Sequence, residues 1–453
     1  MNQGSGTPLH VGAYHDLLTG EIAAASQAML EDQLRRRGLF FGERPLCTVL
    51  RPRLFRAADY AALQETVSGL MAAFATAYGA AMAQPPIRRD LRLADWEEDL
   101  IQADPGFPDP SPHSRLDLFL ADGGASLTEY NAETPAGAGY ADALSDAFLD
   151  LPVMRAYARQ YAVRPLPARH GVAHAVLEAW RQFAGTWRLP SIAIVDWADV
   201  PTRSEFVLFE RYFHDLGLAA QIVEPAACEF RNGRLYANGT AVDVIYKRVL
   251  LHELIADGGV DQPIVRAVRE RAVCLVNGFR CKLMHKKASL ALLSDERHAS
   301  LFGGAAARAI RAHVPWTRVV EERRTEFEGS PVDLVPFVAA HRERFVLKPN
   351  DDYGGAGIVL GWTVGESAWN DALRTALASP YIVQARVAIA EEPYPSVVDG
   401  RLVVIDRMLD TAPFVIDGRY ESGCLTRLST SPLLNVTAGG GSTVPVFVVE
   451  PRA

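Results

Sequence analysis

The chain has 453 residues, a formal net charge of −8 and a hydrophobic fraction of 49%. This length is enough for two or three packed domains, and the acidic balance argues against a nucleic-acid-binding protein, which usually carries a basic stripe. No stretch reaches the roughly 18 consecutive apolar residues of a membrane span, and the N-terminal segment lacks the basic start and apolar core of a signal peptide. We therefore expect a cytoplasmic protein without a transmembrane helix.

Two long amphipathic helices are predicted in the N-terminal part of the chain. The first covers residues 14–38 and ends at Gly38, and the second covers residues 57–82 and ends at a Gln-Pro-Pro run. A Pro-rich loop follows at 106–114. Residues 115–133 then read as a β-hairpin whose turn is Asp-Gly-Gly, and another helical stretch follows the hairpin.

The middle of the chain alternates strands and helices. An apolar run at 191–197 is typical of a parallel sheet, and an amphipathic helix at 204–217 and a second strand at 219–225 follow it. A hairpin at Asn238-Gly239 precedes a strand at 242–248. These elements predict a small α/β domain over 166–275, between an N-terminal region at 1–165 and a C-terminal region at 276–453.

The C-terminal region is predicted to contain a helix at 281–302 and then a strand, a Gly-rich loop and a second strand over 344–362. A helix at 366–379, a strand at 381–387 and a β-rich tail complete it. Only five of the 46 basic residues are lysines, so 41 are arginines. All five lysines lie in the C-terminal half, which draws attention to them, although chance explains so small a number too. The five cysteines show no C-x-x-C pair and are expected to be free thiols.

The hairpin carries the most informative polar residues. Side chains alternate along a strand, so Arg115 and Asp117 share one face and Glu129 and Asn131 share another. If the strands pair, these faces meet and bring hard oxygen ligands together, as Mg²⁺ prefers, beside an Arg that can grip a phosphate. A solvated polar face is an equally good reading. Glu133 either extends the acidic face or caps the turn.

The Gly-rich loop follows Lys348 and contains Gly354, Gly355 and Gly357. Glycines let backbone N–H groups approach phosphates. No Gly-Lys-Ser/Thr ends the run, so it is not a Walker loop. A hairpin lying over a nucleotide is one interpretation, and an ordinary turn is the other.

For three further groups of polar residues, the sequence allows both a binding role and an ordinary structural role. Lys282 and Lys286 are four residues apart on the predicted helix, so an anion lies between them or, as the default, both are solvated. Gln384 could read an adenine edge or simply end its strand. Arg427 and Asn435 near Gly-rich turns are candidates for a second-substrate or phosphate contact, or belong to a structural loop.

Together these features resemble the ATP-grasp ligases. The Arg-x-Asp and Glu-x-Asn strands come before Lys348 and its Gly-rich loop. This order is similar to that of the circularly permuted ATP-grasp proteins, which include the synthetase domain of glutathionylspermidine synthetase. The segment RLDLFLADGGASLTEYNAETP resembles the metal-binding hairpin of that domain, and the resemblance extends over residues 105–450.

The resemblance implies an α/β (α+β) ATP-grasp fold, circularly permuted, with a small pre-ATP-grasp-like domain and N-terminal helices. It implies a ligase that uses ATP and Mg²⁺ to join a carboxylate and an amine through an acyl phosphate. The residues implied are Arg115 at the phosphoryl group or acyl phosphate, Asp117, Glu129 and Asn131 at Mg²⁺, and Lys282, Lys348, Gly354, Gly355, Gly357, Gln384 and Val387 at ATP. Which of Lys282, Lys286 and Lys287 faces ATP stays open. An inactive ATP-binding regulatory subunit and an ATP-grasp kinase are the alternatives. Neither a nucleic acid nor a membrane is an expected partner, and assembly into a homo-oligomer stays open.

Overall fold

The computed structural model describes residues 8–121, 124–352, 354–431 and 441–452. The hairpin turn at 122–123 and the candidate Asn435 lie outside the described residues.

Sixteen helices are assigned within these ranges. In chain order, α1 to α16 are Leu9–Asp16, Gly20–Arg37, Ala57–Ala83, Pro85–Asp90, Asp95–Leu100, Ala138–Asp150, Pro152–Tyr157, Ala168–Ala184, Arg203–Asp215, Leu251–Gly258, Pro263–Arg269, Cys281–His285, Ala288–Ser294, Gly304–His313, Leu334–Ala340 and Glu366–Ala378. Short 3₁₀ turns lie at Pro225–Ala227, Glu296–Leu301 and Arg342–Arg344.

Strands make up most of the C-terminal end of the chain. In chain order, β1 to β24 are Phe40–Phe41, Arg44–Pro45, Arg53–Arg56, His113–Ala121, Gly124–Asn131, Tyr161–Pro165, Ser191–Val195, Ala219–Val223, Cys228–Arg231, Arg234–Ala237, Thr240–Ala241, Val244–Lys247, Cys274–Val276, Thr317–Val319, Arg324–Phe327, Ser330–Asp333, Phe345–Pro349, Val359–Leu360, Tyr381–Ala385, Glu391–Val398, Arg401–Leu409, Ala412–Ile416, Tyr420–Ser429 and Ser442–Pro451.

A nine-stranded sheet forms the centre of the molecule. Its main path runs β20-β21-β23-β22-β4-β5, and β24 extends it from β23 to β3 and β6. All these pairs are antiparallel except β24 with β3. Alternate side chains of β24 face opposite cores: Val446 and Val448 pack in the core that contains α3 and α14, and Phe447 and Val449 pack in the core that contains α1 and α2. Helices therefore cover both faces of this sheet.

The predicted α/β unit is present. Its four-stranded sheet has the order β13-β12-β7-β8, and every pair in it is parallel. Strands β7, β12 and β13 are almost entirely buried, as expected for a sheet with helices on both sides, whereas the edge strand β8 is mostly half-buried. A second four-stranded sheet, β14-β19-β17-β18, carries Lys348 on β17 and Gln384 on β19, which are antiparallel neighbours.

The N-terminal helices differ partly from the prediction. The single helix predicted for 14–38 is two helices, because α1 ends at Asp16 and α2 begins only at Gly20. Gly38 ends α2 with a left-handed φ of 66°, as predicted. Helix α3 matches the second predicted helix, and by length and composition alone it could cross a membrane. Its apolar side chains pack against the large sheet, which is the arrangement of a core helix.

The helix predicted for 281–302 is wrong as a single element. Helix α12 ends at His285, and Lys286 has an extended ψ of 129°. Asn350 stabilises this break: its carbonyl oxygen accepts from Lys287 N at 2.9 Å and its Oδ1 accepts from Ala288 N at 2.8 Å. The break turns Lys287 away from the direction that an unbroken helix would give it.

Candidate active site

The predicted hairpin forms, and its two strands pair as an antiparallel ladder. Arg115 lies opposite Asn131 and Asp117 lies opposite Glu129, with a bulge directly after Asp117. Asn277 holds the base of the hairpin against the parallel sheet, since its Nδ2 donates to the backbone oxygens of His113, Ala132 and Glu133 at 2.7–3.0 Å. The bulge shifts the register by one residue, so that Asp117 meets Glu129 and the four polar side chains lie on one face.

Asp117 is the most densely hydrogen-bonded carboxylate of this face. Arg115 grips it with two bonds, Nε to Oδ1 at 2.7 Å and Nη2 to Oδ2 at 3.1 Å. Asn131 Nδ2 and Arg427 Nη2 also donate to Oδ2, at 3.1 and 2.7 Å. Burial works to raise the pKa of Asp117, but the charges of Arg115 and Arg427 outweigh it and hold the pKa well below its usual range.

Arg427 connects this carboxylate to a second one. Its Nε donates to Asp410 Oδ2 at 2.6 Å, so its guanidinium bridges Asp410 and Asp117. Burial raises the pKa of Asp410 against the lowering effect of Arg427. Asp410 was not among the predicted site residues, although it follows an alternating strand as a strand-end acid. Arg427 was left open in the sequence, and its position favours the contact reading over the structural loop.

Lys348 lies beside the same hairpin. Its Nζ donates to Thr128 O at 2.9 Å and to Gln384 Oε1 at 2.8 Å. Burial lowers the pKa of Lys348 to about 8, and the nearby Glu129 only partly offsets this. The Gln384 amide is 1% exposed and also donates to Thr317 Oγ1 at 3.1 Å, so its polar atoms hold Lys348 and Thr317. An adenine contact by Gln384 stays a prediction.

The lysine that reaches the hairpin face from the broken helix is Lys287. Its Nζ lies 2.9 Å from Glu129 Oε1 and donates to Asp352 O at 2.7 Å. Burial works to raise the pKa of Glu129, and the Lys287 charge outweighs it and lowers the pKa. The sequence could not choose among the three neighbouring lysines, because the helix break that orients Lys287 depends on the distant Asn350.

Lys282 does not lie on this face. Its Nζ is held by Asp351 at 2.6 Å, Glu133 at 3.0 Å and Glu97 at 3.4 Å, and the side chain is 1% exposed. Its carboxylate partners raise the pKa of Lys282 despite the opposing effect of burial. The prediction that Lys282 contacts ATP phosphates is therefore not supported by its position, because its ammonium is already surrounded by three acids.

Lys286 and Glu133 belong to the same buried network. Lys286 Nζ lies 2.7 Å from Asp351 and 2.8 Å from Glu97, so an anion does lie between the two lysines and the solvated reading is wrong. Glu133 Oε1 also accepts from Leu251 N at 2.6 Å, at the start of α10. Glu133 is thus neither part of the hairpin's acidic face nor a cap of its own turn.

A cavity brings most of the predicted residues together. We call it the Lys348 cavity, and it is lined in part by Asp117, Glu129, Lys348, Gly354, Gly355, Gln384, Val387, Asp410 and Arg427. Gly354 and Gly355 both have positive φ, at 66° and 79°. Gly357 does not line the cavity. It packs against Pro349 instead, and an added Cβ would lie 2.6 Å from Pro349 Cγ. A lid role for Gly357 stays a prediction.

A second cavity meets the first one. We call it the Arg248 cavity; it lies between the parallel sheet and the large sheet, and its lining includes Arg115, Asn131, Asp196, Arg248, Glu253, His285, Gly354 and Arg427. Gly354 and Arg427 line both cavities. Arg248 is buried with its Nε unpartnered among the described residues, and burial raises the pKa of Asp196 to about 6. This cavity therefore offers fixed groups of both charges.

The donor set fits Mg²⁺ in type and number. Asp117, Glu129 and Asp410 supply carboxylate oxygens, and Asn131, which donates through Nδ2, retains its Oδ1 as an acceptor. The carboxylates are at present balanced by Arg115, Arg427 and Lys287. A bound cation would replace part of that positive charge rather than enter an uncompensated acidic cluster.

The comparisons with known proteins give a fold. A glutathione synthetase-like effector from Globodera pallida, in its apo form, superposes with a TM-score of 0.59 over 95% of this chain and 98% of that one, at 12% identity. This chain has a glutathione synthetase-like fold. A protein from Methylobacillus flagellatus, provisionally named a gamma-glutamylcysteine synthetase, is a weaker match at a TM-score of 0.44 and 11% identity, covering 87% and 89% of the two chains. No protein-family model and no curated protein matches.

Proposed function

We propose that this protein is an ATP- and Mg²⁺-dependent carboxylate–amine ligase with a circularly permuted ATP-grasp arrangement. The observation that carries the proposal is the meeting of two cavities at Arg427 and Gly354. A phosphoryl group passing from a nucleotide in the Lys348 cavity to a substrate in the Arg248 cavity would cross this junction. The likeness to a glutathione synthetase-like fold is consistent with such a ligase.

The chain's own residues have separate tasks in this scheme. Asp117, Glu129 and Asn131, with Asp410, would hold Mg²⁺, which would neutralise charge on the phosphates when bound. Lys348 and Lys287 supply fixed positive charge next to the Gly-rich loop. Because these charges are held by hydrogen bonds before any ligand arrives, they need little reorganisation during the reaction.

Arg115 and Arg427 would stabilise the transferred phosphoryl group. A substrate carboxylate oxygen attacks the γ-phosphorus while the bond to the ADP oxygen breaks, which yields an acyl phosphate. The amine then attacks the acyl carbon, phosphate leaves, and the amine loses a proton. Each guanidinium has five N–H donors and uses only part of them on carboxylates. The remaining N–H groups can donate to the phosphoryl oxygens as the phosphoryl group passes from one cavity to the other.

The Arg248 cavity suits the second half of the reaction. Arg248 can hold a carboxylate, and Asp196 and Glu253 can hold an ammonium group. Both charges are within one cavity, as a reaction between a carboxylate and an amine requires.

An ADP-release assay tests the proposal. The protein is incubated with ATP, Mg²⁺ and pools of amino acids, polyamines and short peptides, and the Asp117→Asn variant is measured beside it, with the exposed Asp257→Asn as a matched control. Acceptor-dependent ADP release that is lost only in Asp117→Asn is the expected result. Hydroxylamine should trap the acyl phosphate as a hydroxamate, whereas a kinase acting on a hydroxyl gives none. Tight ATP binding without turnover would instead favour the regulatory subunit.

A further inference from the structure

A third cavity lies behind the hairpin, on the face opposite to Glu129 and Asn131. We call it the rear cavity, and it has a volume of about 510 Å³. Tyr130 lines it, because it alternates with its two neighbours along β5. The rear cavity is thus separated from the candidate active site by the hairpin itself.

Aromatic and sulfur-containing side chains form its walls. Tyr130 packs on Phe74 of α3 with ring centroids 4.3 Å apart, and Tyr78 and Phe107 add two further rings. Met71 and Met284 belong to the apolar lining as well, together with three prolines and two alanines. Aromatic faces carry negative charge density and attract cations, so a wall of this composition distinguishes a cationic ligand from a neutral one.

Two carboxylates at the cavity lack a full counter-charge. Asp417 has His174 Nε2 at 3.6 Å, and burial raises the pKa of Asp417 to about 6. Asp109 accepts a hydrogen bond from Ser111 N at 2.7 Å, and burial raises its pKa too. Among the described residues, no Lys or Arg nitrogen forms a salt bridge with either carboxylate. Desolvated carboxylates of this kind are costly unless a positive charge joins them.

The remaining charged side chains around the cavity are paired with other groups or exposed to solvent. Glu178 is held by Arg181 through bonds of 2.7 and 2.5 Å. Arg280 donates to Ile101 O at 3.0 Å and lies at the Tyr78 hydroxyl. Arg419 also lines the cavity; it is exposed and lowers the pKa of Asp109 and of Asp417, but it forms no salt bridge with either among the described residues. The cavity therefore retains unbalanced negative charge beside its aromatic wall.

We propose that the rear cavity binds a small organic cation of the alkylammonium class, with the ammonium group between the aromatic rings and the Asp109 and Asp417 carboxylates. A metal ion fits less well, because four aromatic rings and two thioethers lie beside the carboxylates and are poor ligands for a hard cation. A neutral apolar ligand would leave the two carboxylates without a partner. The proposed site does not depend on the ligase proposal, since it shares no residue with the Lys348 or Arg248 cavities.

Calorimetry on the full chain tests the proposal with a matched pair of ligands. Choline and its neutral isostere 3,3-dimethylbutan-1-ol have the same shape and differ in charge. We expect choline to bind about five- to thirtyfold more tightly than the alcohol, which is the range of a cation held by rings and carboxylates. Equal affinity for the two, or no heat from choline up to millimolar concentrations, would overturn the proposal without any variant.

Variants locate the site. Asp417→Asn and Phe107→Leu should each weaken choline binding at least fivefold, while the exposed Asp257→Asn should leave it unchanged. Circular dichroism confirms that each variant is folded. Choline binding that survives both substitutions in folded protein places the cation elsewhere and contradicts the assignment of the rear cavity.

Discussion

Replacing Lys282 by Met should destabilise the protein without specifically impairing nucleotide binding. Lys282 Nζ lies within 3.4 Å of oxygens of Asp351, Glu133 and Glu97, and the side chain is almost fully buried. Removing one partner of a buried ion pair typically costs about 3–5 kcal/mol, because the remaining charge stays buried and unpaired. Met has a similar length, so loss of packing adds little.

The expected loss of unfolding free energy in Lys282→Met depends on the cations that remain near the three carboxylates. Lys286 still contacts Asp351 at 2.7 Å and Glu97 at 2.8 Å, and Lys247 lies 3.4 Å from Glu133. These cations compensate part of the loss, so we expect about 3 kcal/mol, the lower end of the range. Lys287→Met is the matched comparison. Its partner Glu129 has a side chain that is 26% exposed, so we expect a loss of at most about 1 kcal/mol.

Urea unfolding followed by circular dichroism measures both variants, and fluorescence titration with an ATP analogue measures their nucleotide affinity. Lys282→Met should lower the unfolding midpoint markedly, and in the folded range it should retain its affinity within a few-fold. Lys287→Met should leave the unfolding midpoint almost unchanged and should lower the nucleotide affinity. If Lys282→Met keeps its unfolding free energy within 1 kcal/mol and loses tenfold or more in affinity, the distinction between a structural and a binding lysine is refuted.

Three further predictions concern the hairpin and the Gly-rich loop. Glu129→Gln should reduce ADP release by at least about a hundredfold with little change in folding, because it removes a carboxylate from the proposed Mg²⁺ site; near-normal turnover would argue against that role. Nucleotide affinity should weaken several-fold as the pH rises through about 8, since the folded-state pKa of Lys348 lies below its usual value and the ammonium is lost there. The Lys348→Met variant should show no such pH dependence of nucleotide affinity. If the affinity of the unmodified protein and of the variant varies with pH in the same way, Lys348 is not the titrating group. Gly357→Ala should lower stability by about 1–3 kcal/mol in urea, because the new Cβ meets Pro349 at a φ of 68°. Gly354→Ala is the control: its φ is also positive, at 66°, but its added Cβ would meet no atom within 4 Å, so it measures the cost of the backbone conformation alone.

The hairpin could be predicted because its signal is local. Alternation along each strand predicts which side chains share a face. The pairing of Asp117 with Glu129 depends in addition on the bulge after Asp117, because the register of Leu118 with Leu127 would otherwise place Asp117 opposite Thr128. The parallel strands of the middle unit were predictable for the same reason, as short apolar runs bounded by turn residues.

The lysine roles could not be read from local spacing. Lys282 is structural because Glu97 and Glu133, far away in sequence, fold against it. Similarly, Asp410 enters the site only through Arg427, which bridges it to Asp117 across about three hundred residues. Helical periodicity contains no information about such partners, so the sequence overestimated Lys282 and missed Asp410.

The order of strands in the large sheet affects how the protein can be made. Strand β4 carries Arg115 and pairs with β22, where Phe414 is its partner 299 residues later in the chain. At about 5–20 residues per second, the ribosome needs roughly 15–60 s to supply that partner strand. During this time the β4 edge and the Asp117 carboxylate lack both their neighbouring strand and Arg427. The nascent chain therefore exposes this unpaired strand edge until β22 has been made, and we expect the yield of folded protein to rise when chaperones are supplied.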